Sequence, residues 1–173
     1  MSSKIEKIAL VGNPNAGKSS VFNHLTGLNQ HIGNYPGVTV DKKEGSFHLE
    51  DGKRITVIDL PGTYSFYPRS EDEKIVYSLL SDSKHPDHPD LVVVITDSSN
   101  LERNLLLFTQ IYDLKIPVIL GLNMMDVSLK KGIQIDLQKF QHLLGNVPVV
   151  PLNARKGEGF KELKREISQY SVP

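Results

Sequence analysis

The chain has 173 residues, a formal net charge of zero and no cysteine. Its length suffices for one domain with a sizeable core, and its balanced charge argues against a broad basic face for nucleic acid. The missing thiol excludes disulfides, thiolate zinc sites and cysteine nucleophiles. No apolar run approaches the roughly 20 residues that span a bilayer. Residues 1–7 lack the apolar segment of a signal peptide. The chain is therefore read as soluble, a single domain over residues 1–173 without an internal linker.

Residues 7–11 form the first predicted strand, carried by the apolar run Ile8-Ala9-Leu10-Val11. The strand runs into Gly12-Asn13-Pro14-Asn15-Ala16-Gly17-Lys18-Ser19, a G-x-x-x-x-G-K-S loop that opens a helix over 18–25. Such a loop turns successive backbone N–H groups inward around phosphate oxygens, and the helix N-terminus adds partial positive charge at the same point. Lys18 reaches the β- and γ-phosphates, the Ser19 hydroxyl suits Mg²⁺, and Ser20 follows on the same turn. The chain is thus expected to bind a nucleoside triphosphate.

The polar segment 27–37 is read as a loop. Beyond it, in Gly37-Val38-Thr39-Val40, the Thr39 hydroxyl can meet Mg²⁺ when a γ-phosphate is present. Residues 40–49 and 53–59 flank Glu50-Asp51-Gly52, the signal of an antiparallel hairpin. The second of these strands ends in Asp59-Leu60-Pro61-Gly62. Asp59 is expected to hold Mg²⁺ through water, and Gly62 offers a backbone N–H to the γ-phosphate with no side chain in the way. Ser70-Glu71-Asp72-Glu73 reads as a capping box for a helix to residue 80. His85 and His88 have ligand-like spacing, but their loop is proline-rich and supplies no clear third ligand, so they are read as solvated loop.

The continuous apolar run 91–96 is predicted as a strand covered on both faces, followed by a helix over 101–114 with Asn100 as its cap. A strand over 117–123 ends in Asn123-Met124-Met125-Asp126, where doubly wound sheets bind their ligands. Guanine presents N1–H and its 2-amine as adjacent donors, which the single carboxylate of Asp126 can accept together. Adenine would leave that carboxylate unpaired, so a site built this way discriminates strongly. Residues 136–144 are a helix ended by Gly145, 147–152 the last strand and 159–170 the last helix. Between the last two lies Asn153-Ala154-Arg155-Lys156-Gly157, whose Ala154 N–H can contact guanine O6. The alternation predicts an α/β fold with a mainly parallel sheet of six strands and helices on both faces.

The phosphate loop and Leu122-Asn123-Met124-Met125-Asp126 occur here with three more specific strings. These are Asn34-Tyr35-Pro36-Gly37-Val38-Thr39-Val40, Asp59-Leu60-Pro61-Gly62-Thr63-Tyr64-Ser65 and Asn100-Leu101-Glu102-Arg103-Asn104-Leu105. Together they resemble the cytosolic GTPase domain of the FeoB family, the prokaryotic ferrous iron transport protein B, over nearly the whole chain. The resemblance implies a P-loop NTPase of the Ras-like G-domain type with one antiparallel edge strand, which binds GTP and GDP with Mg²⁺ and hydrolyses GTP. It also implies a helical regulatory domain and a transmembrane transport domain after Pro173. The chain is then expected to be a fragment that works at the cytoplasmic face of the inner membrane. Its expected partners are those domains and a second copy of itself, without nucleic acid. One departure stands out: the last guanine motif of the family usually begins Ser-Ala and here reads Asn153-Ala154, which puts that loop's conformation in doubt.

Many GTPases orient the attacking water with a glutamine after the D-x-x-G glycine; here that residue is Thr63, whose side chain is short. Slow turnover is expected, with water held by backbone and the loop around Thr39. No arginine finger is evident, and Arg69 and Arg103 are read as surface ion-pairing residues. In the potassium-activated GTPases an asparagine at the position of Asn15 coordinates K⁺ beside the phosphates, and backbone carbonyls of the 32–35 loop, Gly33 and Tyr35 among them, would complete that site. Lys18, Thr39, Asn15 and Thr63 form the candidate catalytic set. Two alternatives stay open: a ribosome-assembly or tRNA-modification GTPase, which shares the phosphate and guanine motifs, and a nucleotide sensor that hardly hydrolyses GTP.

Overall fold

A computed structural model describes residues 5–170; residues 1–4 of the start discussed above lie outside them. The strands are β1 (Lys7–Gly12), β2 (Gln30–Asn34), β3 (Asp41–His48), β4 (Arg54–Asp59), β5 (Leu91–Asp97), β6 (Val118–Asn123) and β7 (Val149–Pro151). The helices are α1 (Lys18–Thr26), α2 (Glu71–Ser81), α3 (Leu101–Asp113), α4 (Met125–Lys130), α5 (Leu137–Leu143) and α6 (Phe160–Gln169). They build one seven-stranded sheet in the order β2-β3-β4-β1-β5-β6-β7. From β4 to β7 neighbouring strands are parallel, while β3 runs antiparallel to both β4 and β2.

The apolar runs explain why β1 and β5 sit at the centre. Ile8 and Leu10 face one core cluster, with Val21 and Phe22 of α1 and Leu163 and Ile167 of α6. Ala9 and Val11 face the other, with Leu79 of α2 and Leu107, Phe108 and Ile111 of α3. In β5, Leu91, Val93 and Ile95 join the first cluster and Val92 and Val94 the second. A strand buried on both faces has no polar alternation to show, hence its unbroken apolar sequence.

The expected six strands are corrected to seven. Segment 27–37 was expected as a loop, yet it contains β2, paired with β3 from Gln30↔Gly45 to Asn34↔Asp41. Its sequence Gln-His-Ile-Gly-Asn is almost wholly exposed and lacks an apolar face, so backbone pairing rather than burial holds it. The short helix α4 was also not foreseen; it starts behind Met124, which lies in the left-handed region at φ 61°. Asn100 does not cap α3 with its side chain. Instead the Asp97 carboxylate caps the preceding 3₁₀ turn, accepting from Ser99 N at 2.9 Å. The Ser70 box is half formed: Ser70 Oγ accepts from Glu73 N at 3.2 Å, while the Glu73 carboxylate accepts from Arg69 N at 2.7 Å.

Candidate functional site: a phosphate loop and its neighbouring motifs on one sheet edge

The parallel register sets the C-terminal ends of four strands side by side. Leu10 pairs with Asp59, Gly12 with Ile95, and Asp97 with Asn123. Every motif read from the sequence therefore emerges along one edge, where α/β sheets bind ligands.

The phosphate loop leaves β1 at Gly12 and turns through Asn15 and Gly17, both left-handed at φ 68° and 87°. Position 17 requires glycine twice over. Its φ disfavours any L side chain, and a Cβ there would lie 2.2 Å from Asn123 Nδ2. Gly17 precedes α1 without a side-chain cap, leaving the first-turn N–H groups to meet an anion. Gly62 packs closely on the phosphate loop, where a Cβ would meet Pro14 at 3.3 Å.

Lys18 and Asp59 form a buried ion pair, Nζ to Oδ1. Around them, Lys18, Ser19, Thr39, Asp59, Leu60, Pro61 and Gly62 line a cavity of about 480 Å³. A neighbouring cavity of about 360 Å³ is lined by Asn13, Pro14, Asn15, Gly17, Lys18, Ser19, Ser20 and Gly62. The two hydroxyls and the carboxylate of Ser19, Thr39 and Asp59 thus reach one space. That is an all-oxygen donor set of the kind Mg²⁺ prefers, so these residues fit the ion. A larger cavity, about 630 Å³, lies elsewhere, between Tyr112, Pro117, Asn146 and Tyr170, and gathers none of the motifs.

Gly37 turns at φ 78° and lets Val38 N donate to Tyr35 O at 3.3 Å, while Val38 packs on the core. Tyr35 is buried, and its hydroxyl has no hydrogen-bond partner among the described residues. Burial, reinforced by Asp87, Asp59 and Glu44, holds its phenol well above the ordinary tyrosine range. Neither Gly33 nor Tyr35 lines the cavities that contain Asn15, so the structure does not bring the three expected K⁺ ligands together. Gly33 lies in β2, and the Tyr35 carbonyl is engaged within its own turn.

Thr63 stands where many GTPases carry the water-orienting glutamine, and its hydroxyl is engaged elsewhere. It is buried, its N–H donates to Gly12 O at 3.0 Å, and its hydroxyl donates to Ser65 O at 2.7 Å and approaches Glu73 Oε1 at 3.3 Å. The hydroxyl therefore organises the 63–73 segment.

At the base side, Asn123 is 3% exposed and fastens two loops. Its Nδ2 donates to Ala16 O at 3.0 Å and its Oδ1 accepts from Ala154 N at 3.1 Å. The Ala154 N–H expected at guanine O6 is thus directed at Asn123. Asp126 stands half-buried in the first turn of α4, and no hydrogen bond or ion pair engages its carboxylate among the described residues. Met124 lies between the two motifs: its methyl is 3.6 Å from where a Gly17 Cβ would sit. Asn153 closes the last motif by accepting from Lys156 N at 3.2 Å, which leaves Arg155 exposed.

The N-L-E-R-N-L string is explained by contacts the sequence did not reveal. Asn104 Oδ1 accepts from Asp97 N at 3.2 Å, and its Nδ2 donates to Asn100 O at 2.8 Å, tying α3 to the end of β5. Arg103 is not a surface ion-pairing residue: its guanidinium lies 4.4 Å from the centre of the Tyr64 ring. Asn13 Nδ2 reaches the Arg103 carbonyl at 3.3 Å. Arg69 joins its loop through its backbone N–H to Glu73. His85 and His88 are engaged separately, His85 Nδ1 accepting from Asp87 N in its own loop at 3.0 Å and His88 Nδ1 meeting Leu79 O of α2 at 3.0 Å.

A twisted sheet with a phosphate loop after β1, D-x-P-G after β4 and N-x-x-D after β6 defines a P-loop NTPase of the Ras-like G-domain class. Within that class the chain belongs to the ferrous iron transport protein B family, whose model matches residues 6–167. It is 46% identical over 166 residues to the Fe(2+) transporter FeoB of Leptospira biflexa, covering 96% of this chain and 23% of that protein. Among solved structures it is similar to the G domain of the T. maritima FeoB iron transporter, with a TM-score of 0.86 and 44% identity over 96% of this chain and 99% of that one. The cytosolic domain of the same transporter in GMPPNP form matches with a TM-score of 0.88 and 45% identity, covering 96% of this chain and 64% of that one. A point mutant of S. thermophilus NFeoB bound to GDP matches with a TM-score of 0.87 and 40% identity, covering 97% of this chain and 63% of that one. The chain thus spans about a quarter of the length of the curated relative from L. biflexa.

Proposed function

We propose that this chain is a guanine-nucleotide switch that binds GTP and GDP with Mg²⁺, hydrolyses GTP slowly, and regulates a ferrous iron transporter from the cytoplasmic face of the membrane. The observation that carries the reading is the row of Lys18, Ser19, Thr39, Asp59 and Gly62 around one cavity, with Asn123 tied to the phosphate loop through Ala16 O. Relatives of 40% and 45% identity bound to GDP and GMPPNP support the choice of nucleotide. Relatives named Fe(2+) transporter FeoB, several times longer than this chain, support the transport role and a larger protein that this domain would serve.

The phosphates sit on the N–H groups at the start of α1, beside Lys18. On nucleotide binding Lys18 would exchange Asp59 for phosphate oxygens, and Ser19, Thr39 and Asp59 would be the residues to hold Mg²⁺. One buried ion pair is replaced by two, so neither charge is stranded in a poorly solvated site. Mg²⁺, when bound, offsets charge on the β- and γ-phosphate oxygens. Gly62 N–H lies free of side-chain hindrance for the γ-phosphate. With the Thr63 hydroxyl committed to Ser65, no side chain at that position orients water, which favours slow turnover.

Asn15, at its left-handed turn in the second cavity, is the residue we assign to a K⁺ that shares the transferring charge. A cation there matters most as charge builds in the transition state, so it raises turnover more than affinity. The test is GTP turnover with Mg²⁺ in K⁺ and in Na⁺, for wild type and Asn15→Ala. Slow wild-type hydrolysis, faster in K⁺ and K⁺-insensitive in Asn15→Ala, is expected. Equal K⁺ response of both proteins removes Asn15 as the ligand, and no hydrolysis at all leaves a nucleotide sensor.

A further inference from the structure

The loop from Asn153 to Gly159, which the proposed function sets against the guanine base, is held from two sides. One is Asn123, through Ala154. The other is His24, in the last turn of α1, which no nucleotide motif includes. Its ring lies 4.0 Å, centroid to centroid, from Phe160, tilted by 32°. Phe160 is the first residue of α6 and is buried. An edge of the same imidazole closes on Gly157: a Cβ at Gly157 would lie 2.6 Å from His24 Cε1, with both ring nitrogens within 3.4 Å.

The loop between these contacts is a tight, closed unit. Asn153 and Glu158 exchange both backbone hydrogen bonds at 3.0 Å, and Gly157 turns at φ 73°. Its outward residues Arg155 and Lys156 are exposed and bring no packing of their own. Besides the packing of Ala154 on the first core cluster, the unit is held by the Asn123 bond at its head and the His24 ring at its foot. Both lead back to α1, the first to Ala16 just before the helix and the second to the helix's last turn.

We propose that His24 is a positioning residue for the guanine-contacting loop, setting how long a nucleotide is retained. The inference rests on the proposed guanine site. The ring fills the space between Gly157 and Phe160, so removing it frees the loop to move away from the base while the phosphate loop stays bound to Asn123. The effect belongs to the base side, and it should appear in nucleotide dissociation much more than in cleavage.

The test is the dissociation rate of a fluorescent GDP from the 173-residue chain, beside single-turnover cleavage of prebound GTP. His24→Ala is expected to release GDP about three- to tenfold faster, the factor that loss of one aromatic contact controls, with a smaller change in cleavage. His24→Phe keeps a ring against Phe160 and is expected to restore slow release. A second measurement stands apart from the integrity of any single variant: Gly157→Ala pushes against the ring, so its effect on release should be smaller in a His24→Ala background than in wild type. Unchanged release in His24→Ala, release in His24→Phe as fast as in His24→Ala, or strict additivity with Gly157→Ala overturns the proposal. Wild-type protein that fails to bind guanine nucleotide would instead overturn the proposed function itself.

Discussion

At the scale of single residues, Tyr35 shows how a side chain can be buried for packing and still carry a polar atom to no evident use. It lies in the second core cluster beneath Lys42, whose ammonium is 5.9 Å from the ring centre, and its hydroxyl is unpaired among the described residues. A buried hydroxyl without a partner costs about 1–3 kcal/mol. Tyr35→Phe is therefore expected to leave stability unchanged or raise it by about 1 kcal/mol, read as a higher midpoint of thermal unfolding. A loss of more than about 1 kcal/mol would mean that the hydroxyl has a partner when the protein is in water. Such side-chain duties were not legible in the sequence. Gly17 was, because its left-handed turn dictates glycine. The contacts of Thr63, Arg103 and Asn123 were not, because their partners Ser65, Tyr64 and Ala154 are fixed only by how the loops meet in three dimensions.

At the scale of elements, the strands with apolar runs were readable and the polar ones were not. β1 and β5 declare themselves through burial on both faces; β2 has only backbone pairing to hold it. α4 was hidden because it is six residues long and begins behind a left-handed methionine. β2 also sharpens which parts can switch. With residues 30–34 paired to β3, the freedom in this region falls on the turn 35–40, where Gly37 and Thr39 sit. The segment 62–69 is the other candidate, since Gly62 can be tethered by a γ-phosphate that GDP lacks. Hydrogen exchange with GDP and with a non-hydrolysable GTP analogue should differ at 35–40 and 62–69 while β2 keeps equal protection in both. Identical protection of both segments would contradict a switch. Tyr64 on Arg103, and Asn13 beneath it, offer the second segment a landing place on α3.

At the scale of the whole molecule, the sheet gathers all of the motif-bearing loops on one edge, and Asn123 joins the phosphate loop to the loop after β7. No helix among the described residues is long and apolar enough to cross a membrane. The central claim, that this edge is a guanine-nucleotide site, is tested most directly by equilibrium titration of wild type and Asp126→Asn with GTP, ATP and XTP in Mg²⁺. The wild type should prefer GTP over ATP by at least about a hundredfold, since rejecting adenine leaves the Asp126 carboxylate unpaired. Asp126→Asn should bind GTP about ten- to a hundredfold more weakly and turn its preference toward XTP, whose carbonyl at C2 accepts from an amide. Equal affinity of the wild type for GTP and ATP, or an unaltered preference in Asp126→Asn, would contradict the assignment of the base site.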